Sequence, residues 1–314
     1  MEEVALGRTG LRVSRVGLGT APLASIFWGN DEPTATDTAR RALHAGLTFF
    51  DTAPFYGLGE CERRLGAALR GGRDGVVIAT KVGRTLQTGS GGEVEARFDF
   101  SYDAVRRSLD GSLGRLGIDR VNVVHIHDPD DHIDEAVAGA HRALVDLRDQ
   151  GVIDAVSLGT NSVQTAATIL ERCDLDCLLV AGRFTLLDQS AAPLIDRCAE
   201  RGIAYLAAGV FNSGVLAGPY DEAWYDYAPV ARPVLDRARR IEQVCQRHGV
   251  ALRTAALSFP LAHPGVSVAV VGMAAPHEVD ENIEATRTKL PDDLWSELAG
   301  AGLLPPVATA EGHG

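Results

Sequence analysis

Hydrophobic and polar positions along the chain fall into a repeating order. Short runs rich in Val, Ile and Leu alternate with longer stretches in which apolar residues recur at helical spacing. The short runs predict strands over 16–19, 48–51, 76–80, 121–127, 155–159, 177–181, 203–207 and 266–271. The longer stretches predict helices such as 36–45, 102–116, 134–150 and 192–201, several preceded by a Ser, Thr or Asp suited to capping. Strand and helix in strict alternation imply a parallel sheet, and eight strands with their helices imply an α/β fold closed as a (β/α)8 barrel.

Outside this repeat, ALGRTGLRVS reads as two short alternating runs around Thr9-Gly10, a hairpin able to plug the bottom of the barrel. A helix is expected near the C-terminus, and 303–314 reads as a flexible tail. The whole of 1–314 is expected to be one barrel domain, without linker, low-complexity tract or repeat. Segments 82–100, rich in Gly and Ser, and 209–232, carrying Trp224, Tyr225 and Tyr227, lack clear periodicity. They follow the third and seventh strands, where long loops shape the active site of a barrel.

Charge narrows the range of partners. With 30 Lys and Arg against 42 Asp and Glu, the formal charge of −12 repels phosphate backbones and anionic lipid, so nucleic-acid and membrane partners are not expected. A small-molecule substrate is. The first residues, MEEVALGRTG, lack the order of a signal peptide, and no apolar run approaches the ~18 residues of a membrane span, so a cytoplasmic location is expected. Five cysteines without a C-x-x-C pair read as buried free thiols. The pattern sets no oligomeric state.

Candidate chemistry gathers at strand ends. Asp51 ends the second predicted strand, Tyr56 follows in the same loop, Lys81 closes the third strand and His127 the fourth. In a barrel these ends converge on one face. A tyrosine hydroxyl, with a reference pKa of about 10, is a poor acid or base at neutral pH unless its anion is stabilised. Lys81 would supply that stabilisation, Asp51 would hold the lysine charged despite burial, and His127 would hydrogen-bond a substrate oxygen. Such a unit protonates a carbonyl oxygen as hydride arrives, or removes a hydroxyl proton as hydride leaves. The same HIHDPDDH stretch offers His125 and His127 as an H-x-H pair for a metal-dependent barrel hydrolase. That reading is disfavoured because the later strands supply no further His, and no metal site is expected.

These stretches carry a resemblance. FFDTAPFYGLGECERRLGAALR, the T-K of IATKVGR and the H-x-P of HIHDPDDH resemble the signatures of the aldo-keto reductase superfamily. HDPDDH, AGRFTLLDQS, FNSGVLAG and FPLAHP look more narrowly like the branch of aldose 1-dehydrogenases acting on L-fucose or L-galactose and of pyridoxal 4-dehydrogenases. The resemblance implies an NAD(P)-dependent oxidoreductase with Tyr56, Asp51, Lys81 and His127 as catalytic residues, Tyr56, His127 and Trp28 on the substrate side, and oxidation of a cyclic hemiacetal to a lactone. A carbonyl reductase of a biosynthetic pathway and a pyridoxal dehydrogenase are the alternatives. From another class, it also resembles cofactor-binding regulatory subunits such as the potassium-channel β-subunits; with all four catalytic positions filled, the enzyme reading leads.

GLGTAP fails the G-x-G-x-x-G rule, so a Rossmann domain is disfavoured. The resemblance implies an extended dinucleotide touching Gly19, Thr20, Asp51 and Asn161 near the nicotinamide. Its pyrophosphate would lie along Phe211, Asn212, Ser213, Gly214 and Leu216, and its adenosine near Gly272, Glu278, Glu281 and Asn282. Family members using NADP place Lys or Arg after the eighth strand, whereas GMAAPHEVDEN has neither and offers Ala274 or Glu278 instead. A carboxylate there would repel a 2′-phosphate, so NAD is the expected cofactor over NADP. Ala181 and Ala208 stand where many members have a Gln and a stacking Tyr.

Overall fold

A computed structural model describes residues 1–24, 31–89, 91–218, 221–226 and 228–305. Eight strands run β1 (Val16–Gly19), β2 (Phe49–Asp51), β3 (Val77–Val82), β4 (Val123–His127), β5 (Ala155–Thr160), β6 (Cys177–Ala181), β7 (Ala204–Ala208) and β8 (Val266–Gly272). Each pairs in parallel with the next, and β8 returns to pair with β1, closing the barrel. The expected strands are present, with ends displaced by no more than two residues. Lys81 lies inside β3 rather than at its close, because the strand continues to Val82.

Strands buried on both faces read as nearly continuous apolar runs, yet each face still has a period of two. Phe49, Val77, Ala79, Val123, Ala155 and Leu206 belong to the interior cluster, whereas Phe50, Ile78, Val124, Val156 and Leu158 pack outward against the helices. Counting in twos from the interior residues reaches Asp51, Lys81, His125, His127, Ser157 and Gly159. The polar residues near the C-terminal ends of β2–β5 therefore share the interior face. At the other end, Glu3–Ala5 and Arg12–Ser14 form the expected antiparallel hairpin, and Leu6 and Val13 complete the interior cluster from below.

Helices Glu32–His44, Glu60–Ala68, Tyr102–Leu116 and Val163–Arg172, among others, surround the barrel. A satellite cluster joins Arg232–Arg247, Leu252–Ala262 and the C-terminal helix Asp292–Gly300. Leu303 and Leu304 are buried in it, which removes both from the expected tail; 306–314 lie outside the described residues. Segment 82–100 is also corrected: Arg84–Thr88 and Val94–Phe98 pair as an antiparallel hairpin. Most of its residues are exposed or half-buried, so no alternation of apolar side chains marks it. Among the described residues, no helix is long and apolar enough to cross a membrane.

One helix contact bears directly on the loop that carries Tyr56. Helix Glu60–Ala68 follows that loop and meets Tyr102–Leu116 at Gly66, where an added Cβ would lie 2.2 Å from the Leu116 carbonyl oxygen. Neither backbone can yield cheaply. Gly66→Ala is expected to destabilise the fold by about 1–3 kcal/mol through overpacking. Gly114→Ala, on the open face of the partner helix, is expected to be neutral or stabilising by up to about 1 kcal/mol. Urea denaturation of both variants checks the contrast.

Candidate active site

Tyr56 begins a tight turn after β2, where Gly57 adopts φ 57° and an added Cβ would lie 2.5 Å from the Ala24 carbonyl oxygen. Glycine meets both constraints. The following helix is fastened beneath the site by buried Glu62, which accepts from Thr80 Oγ1 at 2.6 Å and Arg115 Nε at 2.7 Å. This anchors the Tyr56 turn beside Lys81, the neighbour of Thr80.

Lys81 Nζ lies 2.6 Å from both Asp51 oxygens and donates to the Thr52 carbonyl oxygen at 3.0 Å. The lysine and aspartate are 2% and 4% exposed, so water screens this pair very little. Burial opposes the Asp51 charge, but Lys81 and His125 outweigh it and hold the carboxyl below its ordinary range. The same ammonium lies 5.0 Å from the Tyr56 ring centre. His127 meets that ring edge-on, with centroids 6.0 Å apart. Burial first, then Lys81 and Arg84, push the His127 imidazole well below its usual pKa, so it is neutral. The four expected residues are thus brought together, while Trp28 lies outside the described residues.

Beyond His127, Asp128 adopts φ 46° and accepts from Arg84 Nη1 at 3.0 Å. The Arg84 guanidinium lies 3.4 Å from the Phe55 ring centre and 5.2 Å from that of Phe98. Both rings remain substantially exposed, giving this side of the site a flat, partly apolar wall.

Beside Tyr56 a cleft of about 280 Å³ opens, with neither Phe55 nor Phe98 in its lining. Gly19, Asp51, Tyr56 and Asn161 line it together with Phe211 to Gly214, Arg253, Gly272, Glu278 and Asn282. Ala181 and Ala208, the two departures noted in the sequence, also line it. Buried Asn212 and Asn282 each present an Oδ1 with no donor among the described residues. Asn212, Ser213 and Gly214 all have positive φ (45°, 57° and 103°), and a Cβ on Gly214 would meet nothing within 4 Å. Two unpartnered acceptors and an open, strained backbone suit a ligand rich in hydroxyl and amino donors, such as a dinucleotide.

Three expected cofactor contacts do not line this cleft. Thr20, directly after β1, is fully buried with its Oγ1 unpartnered among the described residues, and Leu216 is buried in the satellite cluster. Glu281 instead forms an ion pair with Arg253. Arg253 itself escaped the sequence reading. It starts the helix before β8, so the contact spans 28 positions and no local motif marks it. Its guanidinium also sits 5.7 Å from the Phe211 ring centre. Asp226, which lines the cleft and pairs with Arg183 at 2.9 Å, was likewise unmarked. Among the described residues, no group of three or more His, Cys, Asp or Glu could hold a metal ion, so the H-x-H pair lacks further ligands.

Comparison with known proteins finds a matching family and matching folds. The model of the Aldo/keto reductase family matches residues 15–302. The chain is 36% identical to a pyridoxal 4-dehydrogenase of Microbacterium luteolum, over 96% of this chain and 98% of that protein. It is 37% identical to a D-threo-aldose 1-dehydrogenase of a Pseudomonas species, with the same coverage. Among solved structures, an aldo-keto reductase from Bacillus halodurans in its holo form superposes with a TM-score of 0.77, at 25% identity over 93% of this chain and 92% of that one.

The Asp51–Lys81 pair yields a stability prediction. Removing one partner strands a buried charge, so Asp51→Ala is expected to cost about 3–5 kcal/mol. The double change Asp51→Leu with Lys81→Met, which removes both charges, should cost less. Urea denaturation at neutral pH measures the difference, and a double variant less stable than Asp51→Ala would contradict it.

Proposed function

The chain belongs to the aldo/keto reductase family, and we propose that within it this enzyme is an NAD-linked dehydrogenase that oxidises the hemiacetal carbon of an aldose to a lactone. That it is an oxidoreductase acting on carbonyl or hydroxyl groups follows from the family and its dehydrogenase relatives. The observation that carries the finer reading is Lys81, paired with Asp51 and 5.0 Å from the Tyr56 ring.

The ammonium favours the Tyr56 phenolate, making Tyr56 the base that accepts the hydroxyl proton of the hemiacetal. Neutral His127 donates a hydrogen bond to the same oxygen without competing for its proton. In the reverse direction Tyr56 returns the proton to the carbonyl oxygen. A bound nicotinamide dinucleotide supplies the hydride acceptor or donor. Asn161 would hold its carboxamide, Asn212 to Gly214 its pyrophosphate, and Glu278 and Asn282 its adenosine.

Charge supports NAD over NADP. Among the described residues lining the cleft, Arg253 is the one cation, and Glu281 already neutralises it. Glu278 adds a carboxylate to the wall, favourable for ribose hydroxyls and repulsive to a 2′-phosphate. A second substrate class, a pyridoxal-like aromatic hemiacetal, is favoured by exposed Phe55 and Phe98 beside the site. Both classes undergo the same lactone-forming oxidation.

A panel of L-fucose, L-galactose, D-arabinose and pyridoxal, each with NAD and NADP, tests this reading. At least one lactone-forming oxidation with higher kcat/KM for NAD is expected; a clear NADP preference would overturn the cofactor assignment. Tyr56→Phe should lower kcat by about 10²–10⁴-fold while the fluorescence-measured Kd for NAD stays close to wild type. Full activity in Tyr56→Phe would overturn the mechanism.

A further inference from the structure

One fully buried ionisable group has been given no role in the proton transfer above. His125 lies on β4 two residues before His127 and shares its inward face. Its Nδ1 is 2.8 Å from Ser157 Oγ on β5, and its Nε2 is 3.3 Å from Asp51 Oδ1 on β2. The imidazole therefore bridges a hydroxyl and the carboxylate that holds Lys81. Burial, the largest influence, holds His125 below its ordinary pKa, so the ring is neutral and carries one N–H.

The field of Asp51 decides where that proton sits. A nitrogen lone pair 3.3 Å from a buried carboxylate oxygen would be repelled, whereas an Nε2–H is attracted. With the proton on Nε2, Nδ1 is an acceptor and Ser157 donates to it. The order of hydrogens then runs from Ser157 to His125 and from His125 towards Asp51, which also receives Lys81.

We propose that His125 is a positioning residue for proton transfer at Tyr56, acting through Asp51 and Lys81, with Ser157 holding the ring in place through Nδ1. The inference rests on the reading of Tyr56 as the acid and base. The Nε2–H is not aligned for a hydrogen bond, but 3.3 Å from Asp51 Oδ1 its dipole offsets part of the carboxylate charge, and more of the Lys81 field reaches the phenol. Without it, the less screened Asp51 charge raises the Tyr56 pKa. The charged or titratable groups around His125 are Asp51 from β2, Lys81 from β3 and His127 from β4, with Ser157 facing it from β5.

Titration of the Tyr56 hydroxyl by NMR, with ¹³Cζ-tyrosine in the full chain and the resonance assigned by its loss in Tyr56→Phe, tests this without a substrate. His125→Leu should raise the Tyr56 midpoint by about one pH unit. His125→Gln, which keeps an N–H donor, should return it to near the wild-type value. Ser157→Ala should shift it in the same direction as His125→Leu and serves alone if His125→Leu does not fold. An unchanged midpoint in His125→Leu, or in Ser157→Ala where His125→Leu does not fold, or equal shifts for Leu and Gln, would overturn the proposal. Full turnover in Tyr56→Phe would instead count against the reading of Tyr56, so the two failures are distinguishable.

Discussion

The ion pair between Lys81 and Asp51, 2.6 Å long and almost wholly sealed from water, is the constraint around which this barrel is organised. Removing two charges from water is costly, and apolar residues of equal volume often serve stability as well or better. The pair is best understood through what surrounds it. Lys81 lies beneath the Tyr56 ring, the Asp51 carboxylate lies between Lys81 and His125, and the Asp51 main-chain carbonyl accepts from Thr20 N at 2.9 Å. A charge placed there costs little to reorganise during reaction, because it is already fixed.

From this centre the molecule divides into two sides with different chemistry. Towards Phe55, Phe98, Arg84 and Asp128 lies a partly apolar wall with one fixed guanidinium–carboxylate pair. Towards Asn161, Asn212 and Asn282 lies a longer cleft with unpartnered acceptors and open backbone. Tyr56 stands between them, on a turn whose shape depends on Gly57 and whose following helix is fastened by Glu62.

Much of this was legible in the sequence because it follows from local periodicity. Parity along β2 to β5 carries Asp51, Lys81 and His127 to the interior face, and short apolar runs mark their strands. Features that depend on distant contacts were not legible. Arg253 reaches the cleft from the helix before β8, and it pairs there with Glu281, 28 positions away in sequence. Leu216 lies on the right segment but turns into packing, a choice made by neighbours distant in sequence, and Thr20 is buried outside the lining of the cleft. His125 was visible as half of an H-x-H pair. The alternation that places His127 inward does the same for His125, but that pattern alone cannot distinguish a metal ligand from a partner of Asp51.

The central claim is that the charge on Lys81 makes Tyr56 a competent base at neutral pH. The most direct test is the pH dependence of kcat/KM for oxidation of the best substrate with NAD, compared between wild type and Lys81→Met. In wild type the limb that rises with pH should reach its midpoint well below the ordinary tyrosine pKa of about 10, and in Lys81→Met it should move up to about 10 or beyond. Coincident pH profiles for the two proteins would contradict the account.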